Sequence, residues 1–212
     1  MAAIMQKVSR RAILKELGLA GAAALALPAF DRVLAFQREV LKTGAPPAGV
    51  LTAAEAATLA AICGRIIPTD ASGPGAAEAR ASVYIDRALG GWLAPSREDY
   101  TAGLAAVDRA ARVRSGTRFA DLAPVEQDAV LTSLEQTPFF GLVRAHTIQG
   151  TFCDPGYGGN ANFVGWDLIG YPGIRLNVTA ADQRMAMPPK PIRRSAYDYA
   201  MFANTMGTLD AH

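Results

Sequence analysis

Cysteine and histidine are scarce in this chain, with two of each among 212 residues. The cysteines are Cys63 and Cys153, and the histidines are His146 and the terminal His212. Neither a Cys-x-x-Cys-His haem attachment nor an iron–sulfur spacing occurs. Convergent ligands for a metal are equally short, because a structural site needs several at once. Charge is sparse too, at 19% of residues against 50% hydrophobic. That balance excludes general disorder and supplies a core. The formal excess is only +2. Residues 1–35 hold Lys7, Arg10, Arg11, Lys15 and Arg32 against Glu16 and Asp31, so the rest of the chain is slightly acidic. A body of that sign carries no nucleic-acid footprint. No β-alternating segment, internal repeat or heptad array is present. Outside the N-terminus, no run approaches the roughly 18 apolar residues of a membrane span.

What is present begins with an address. Ser9-Arg10-Arg11-Ala12-Ile13-Leu14-Lys15 fits the twin-arginine export pattern, and Leu17 to Leu27 is a short, mildly apolar run. That run suits a signal h-region better than a span. Small-residue cleavage sites follow at Ala26 and Ala35, and retention as an uncleaved anchor stays open. This pathway carries folded proteins. A chain that uses it folds around something in the cytoplasm or travels with a partner that does.

Residues 36–51 read as a linker, centred on Gly44-Ala-Pro-Pro-Ala-Gly49. Thr52 and Glu55 then form a capping box. Leu59, Ile62, Cys63 and Ile66 follow on one helical face, and Pro68 stops the helix. Cys63 reads as a small buried hydrophobe. A second helix is predicted over Ala76–Leu89, with Ala79 and Val83 inward and Gly90-Gly91 at its end. A third starts near Ser96 and carries Tyr100, Leu104, Val107 and Ala111 on one face towards Gly116. Pro124 and Pro138 each suit a first helical position. Val130, Leu131 and Leu134 stripe the fourth helix, and Phe139, Val143, His146 and Gly150 share a face of the fifth. The expectation is a mainly α fold: a compact bundle of about five helices, a glycine- and aromatic-rich irregular cap, and an extended C-terminal tail.

The segment from Arg144 to Gly173 gathers the rare residues. Gly156-Tyr157-Gly158-Gly159-Asn160 fails as a nucleotide loop: a helix rather than a strand precedes it, the glycine spacing is wrong, and no Walker lysine follows. Its glycines suit positive φ and close backbone approach. Trp166 and Tyr171 are residue types that anchor interfaces. His146 reads as a helix histidine bonded to a nearby loop group such as Asp154, in preference to a catalytic base or metal ligand. Asp154 and Asp167 offer a carboxylate pair for acid–base work, with no second signal behind it. Cys153 lies in a loop. In an oxidising compartment it has two options, pairing with Cys63 or with a cysteine of another chain. The tail from Asn177 to His212 carries Arg193-Arg194 and the apolar Tyr197, Tyr199, Met201 and Phe202. It has two options as well, wrapping over its own body or lying on a partner.

Asp154-Pro155, Tyr157-Gly158-Gly159-Asn160, Gly165-Trp166 and Gly170-Tyr171-Pro172-Gly173 together resemble the signature of the gluconate 2-dehydrogenase subunit 3 family. Ile66-Ile67-Pro68-Thr69-Asp70 matches that family's early motif, and Arg144-Ala145-His146-Thr147 the helix before the signature. The resemblance spans roughly residues 50–175. It departs at Ala71-Ser72-Gly73 and does not extend to the Met/Tyr-rich tail. The chain divides into a twin-arginine segment (1–35), a linker (36–51), a helical domain (52–176) that the resemblance covers, and an extended tail (177–212) for which partner binding is one of the two options. The resemblance implies a non-catalytic small subunit with no cofactor of its own. The expected partners are a large FAD-dependent subunit of the glucose–methanol–choline type, a multihaem cytochrome c subunit and the twin-arginine machinery. The expected location is the periplasm, at the inner membrane. Arg10 and Arg11 would serve export; Tyr157, Asn160, Trp166 and Tyr171 would form the partner interface or the cap supporting it. Two readings from the residues alone stand beside this one: a self-sufficient exported enzyme using His146 with Asp154 or Asp167, and a structural protein that self-associates through its tail.

Overall fold

The computed structural model describes residues 49–180, 182–184 and 189–203. The twin-arginine segment with Arg10 and Arg11, and the linker as far as residue 48, lie outside the described residues. Helix α1, Ala53–Ile66, starts as its capping box dictates. The Thr52 hydroxyl accepts from the Glu55 amide at 3.3 Å, and the Glu55 carboxylate takes the Thr52 amide at 2.9 Å. Both bonds satisfy donors that the first turn leaves without a partner. The helix stops two residues before Pro68.

Helix α2 spans Ala81–Leu89, shorter than the expected start at Ala76. Residues 76–80 form turns, and Arg80 sits at φ 57°, which breaks any continuous helix into Ala81. Ala79 is fully buried as expected, but Val83 is 37% exposed and does not point inward. The buried stripe consists of Tyr84, Ile85, Ala88 and Leu89, and Val83 falls off it once the helix is in register.

Helix α3, Arg97–Ser115, buries Tyr100, Leu104, Val107 and Ala111, and Gly116 closes it in the left-handed conformation at φ 74°. Helices α4, Pro124–Leu134, and α5, Pro138–Phe152, both carry proline at the first position. There the missing N–H costs nothing. Thr137 caps α5 by accepting from the Phe140 amide at 3.3 Å. These five are the helices expected from the sequence. Two shorter ones follow, α6, Val164–Ile169, in the cap and α7, Ala200–Ala203, in the tail. Among the described residues there is no strand, only an isolated bridge between Asp70 and Gly73.

Helix α1 touches each of α2 to α5, and α2 packs most extensively on α5. Leu59, Ile62, Ile85, Leu89, Leu104, Phe119, Val130 and Val143 meet between them, each at most 2% exposed. Burial of one such aliphatic side chain contributes about 1.5–3 kcal/mol. Polar ties join the elements. Arg65 donates twice to Asp128 at 2.7 Å, joining α1 to α4. The Asp86 carboxylate accepts the Val50 and Leu51 amides at 2.8 and 2.9 Å, pinning the entering chain to α2. The bundle leaves the C-terminal end of α5 as a platform, and the cap is built on it.

Candidate functional site: the aromatic cap

Helix α5 ends at Phe152, and its last carbonyls need partners. The cap supplies them from two side chains. Asn160 is fully buried, and its Nδ2 donates to the Cys153 carbonyl at 2.8 Å. Its Oδ1 accepts the Gly165 amide at 2.7 Å, and its own amide returns to the Gly150 carbonyl at 2.8 Å. Trp166 is 6% exposed and donates Nε1–H to the Phe152 carbonyl at 3.1 Å. Asn160 holds φ 44°, a conformation asparagine tolerates better than most residues.

The loop lies directly on the helix, and this is why the segment is rich in glycine. A Cβ on Gly159 would stand 2.1 Å from the Gly150 carbonyl oxygen, and one on Gly165 would stand 1.8 Å from that of Thr151. Backbone blocks both places, so no rotamer change makes room. Above this contact Trp166 packs between Phe163 and Tyr171, with ring centroids at 5.3 and 4.9 Å. Tyr171 and Ile169 are each 40% exposed.

The described part of the tail folds back over the cap. Asp154 accepts from Gly156 of its own turn at 2.8 Å, from the Ser195 hydroxyl at 2.5 Å and from the Ala196 amide at 2.8 Å. The Tyr197 hydroxyl donates to that of Tyr157 at 2.9 Å, and the two rings meet edge to face. Asp167 pairs with Arg193 at 2.7 Å. Between cap and tail runs a groove of about 430 Å³, lined by Phe152, Asp154, Tyr157, Trp166, Ile169, Tyr171 and Ile174 on the cap side and by Ala196 and Tyr197 on the tail side. An aromatic concavity of this kind buries apolar groups.

The candidates therefore separate. Asn160 and Trp166 lie inside and hold the cap to α5. Tyr157 is half-buried against the tail, and Tyr171 is at the surface. His146 does not reach Asp154. Its Nδ1 lies 2.9 Å from the Tyr100 hydroxyl, with the two rings stacked at 5.8 Å inside the bundle. Burial pushes its pKa down to about 4. The carboxylates of Asp154 and Asp167 are each engaged with the tail instead. An acid–base pairing of His146 with either is not formed, because the histidine sits nearly two turns before the end of α5, on its buried face. The Cys63–Cys153 bridge is not formed either, and both cysteines are free. The Cys63 thiol meets the Thr147 hydroxyl at 3.3 Å, and the Cys153 thiol faces the Gly150 carbonyl at 3.6 Å. Burial pushes both thiols up to about 12.

Ser195, Ala196 and Ile174 escaped the sequence reading. Ser195 and Ala196 had one signal, the Ser195-x-x-Asp198 capping pattern, which marks a turn without showing where it docks, and Ile174 had none. Among the described residues, no group of three or more His, Cys, Asp or Glu side chains is placed to hold a metal ion, and no helix is long and apolar enough to cross a membrane. The family model described as gluconate 2-dehydrogenase subunit 3 matches residues 53–173, the stretch from the start of α1 to the last glycine of the cap. No curated protein and no solved structure matches the chain significantly.

Proposed function

The chain belongs to the gluconate 2-dehydrogenase subunit 3 family, and from that premise we propose that it is the non-catalytic small subunit of a periplasmic dehydrogenase complex. Its large partner is an FAD-dependent oxidoreductase of the glucose–methanol–choline type, and a multihaem cytochrome c subunit passes the electrons on. The chain acts by binding. It docks on the folded flavoprotein in the cytoplasm, and its twin-arginine segment takes both through export.

The observation that carries this reading is the family match, which runs through the whole cap. Two features support it. Ser9-Arg10-Arg11 and the following apolar run have the order of a twin-arginine signal. The cap offers the flavoprotein an aromatic concavity rimmed by Ile169 and Tyr171. Substrate choice belongs to the flavoprotein, where the flavin would sit.

Replacing Arg10 and Arg11 together by lysine tests the escort. The flavoprotein's dehydrogenase activity is expected to move from the periplasmic fraction to the cytoplasm. Normal periplasmic activity in that double variant would refute the reading.

A further inference from the structure

The lining of the groove pairs aromatic rings with a single charge. Five of its nine residues are aromatic: Phe152, Tyr157, Trp166, Tyr171 and Tyr197. Trp166 and Tyr171 stand at 80° to each other, and Tyr157 and Tyr197 at 83°, so the rings wall the space from crossed directions. Asp154 is the one charged residue of the lining, which holds no lysine, arginine or histidine.

Asp154 also lacks a cation of its own. Two arginines adjoin the tail turn that it caps, and both are committed elsewhere. Arg193 pairs with Asp167 at 2.7 Å, while Arg194 lies over the Tyr199 ring at 4.3 Å and donates to the Asp198 carbonyl at 2.6 Å. Among the described residues no basic side chain pairs with Asp154. Its Oδ1 accepts from the Gly156 amide and the Ser195 hydroxyl, and its Oδ2 from the Ala196 amide alone. Each carboxylate oxygen can take two donors, so Oδ2 has capacity for another.

These features select the charge of a guest. The carboxylate repels an anion. A wholly apolar guest would strip water from it and return no bond. Aromatic faces carry partial negative charge and attract a cation, more strongly once both are out of water. A protonated amine on a hydrocarbon body satisfies both parts of the lining, with an N–H for Oδ2 and a body for the rings. A space of about 430 Å³ is of small-molecule size.

We propose that the groove is a binding site for a small organic ammonium ion, its N–H directed to Asp154 and its body enclosed by Tyr157, Trp166, Tyr171 and Tyr197. The site rests on the groove's own lining and holds whether or not a flavoprotein docks on the cap.

The test titrates the full chain at about pH 7 with cyclohexylammonium and with cyclohexanol, which keeps the ring and lacks the charge. The indole N–H signals of both tryptophans are followed by NMR. Trp92 lies in the bundle against Tyr84 and His146 and is the reference. Cyclohexylammonium is expected to move the Trp166 signal, to leave that of Trp92 in place, and to bind about tenfold tighter than cyclohexanol. Asp154→Asn should weaken the ammonium about tenfold and leave cyclohexanol unchanged. Tyr171→Leu, which removes a ring at the surface, should weaken the ammonium about threefold. Equal affinity for the two probes would overturn the proposal, and so would a Trp166 signal that does not move. Glucose bound in preference to the ammonium would overturn it as well, by making the groove a carbohydrate site. If D154N loses both probes together, the variant has disturbed the tail. The contrast between the probes on the unaltered chain and the Y171L result then decide.

Discussion

Acidification should act on this fold through one buried imidazole. His146 is 6% exposed, stacked on Tyr100 and met edge-on by Trp92 at 6.4 Å. Burial disfavours its charged form and holds its pKa down to about 4. The unfolded chain titrates it near the ordinary value of about 6.5. Between those values the unfolded state binds the extra proton, so stability rises with pH. The contribution is fully present above about 6.5 and is lost as the pH falls through about 4. In full it amounts to about 3 kcal/mol, and about 2 kcal/mol is already gone at about pH 5. Carboxylates add their own acid sensitivity, so a comparison is needed. His146→Gln keeps a polar group beside the Tyr100 hydroxyl and removes the titration. Urea unfolding of both proteins at about pH 7.5 and about pH 5 should show the unaltered chain losing about 2 kcal/mol more than the variant. Parallel losses would refute the reasoning and place the histidine in contact with water or an anion.

The cap and the thiols offer further checks. Gly165→Ala sets a methyl 1.8 Å from the Thr151 carbonyl oxygen and should cost about 3 kcal/mol in urea unfolding; an unchanged midpoint would mean that the cap does not rest on α5. Asn160→Ala leaves the Gly165 amide and the Cys153 carbonyl without side-chain partners and keeps a strained φ. A similar loss of about 3 kcal/mol is expected by the same measurement. Because burial raises both thiols to about 12, iodoacetamide at about pH 8 should spare Cys63 and Cys153 in the folded chain and modify both in urea. Rapid labelling of Cys153 alone would show the cap opening around it.

Most of the bundle was legible in advance. Thr52, Pro124 and Thr137-Pro138 mark helix starts through local chemistry, and the stripes along α1, α3 and α5 name their buried faces. Helix α2 was less legible. Its alanines permit a helix from Ala76, and only the left-handed Arg80 moves the start to Ala81, with Val83 off the buried stripe. The cap was legible as a glycine-dependent, aromatic element. The division of labour inside it was not: which aromatic is buried depends on where the α5 carbonyls point.

The sequence by itself determined the helical class, the family signature and the export-like N-terminal pattern, because capping, periodicity and motif order are local properties of a chain. Tertiary structure alone decided what the rare polar residues do. His146 went to Tyr100, Asn160 and Trp166 to the end of α5, and Asp154 and Asp167 to the tail. Buried polar groups must find partners or bear the cost of desolvation. Where those partners lie in space cannot be read from spacing along the chain.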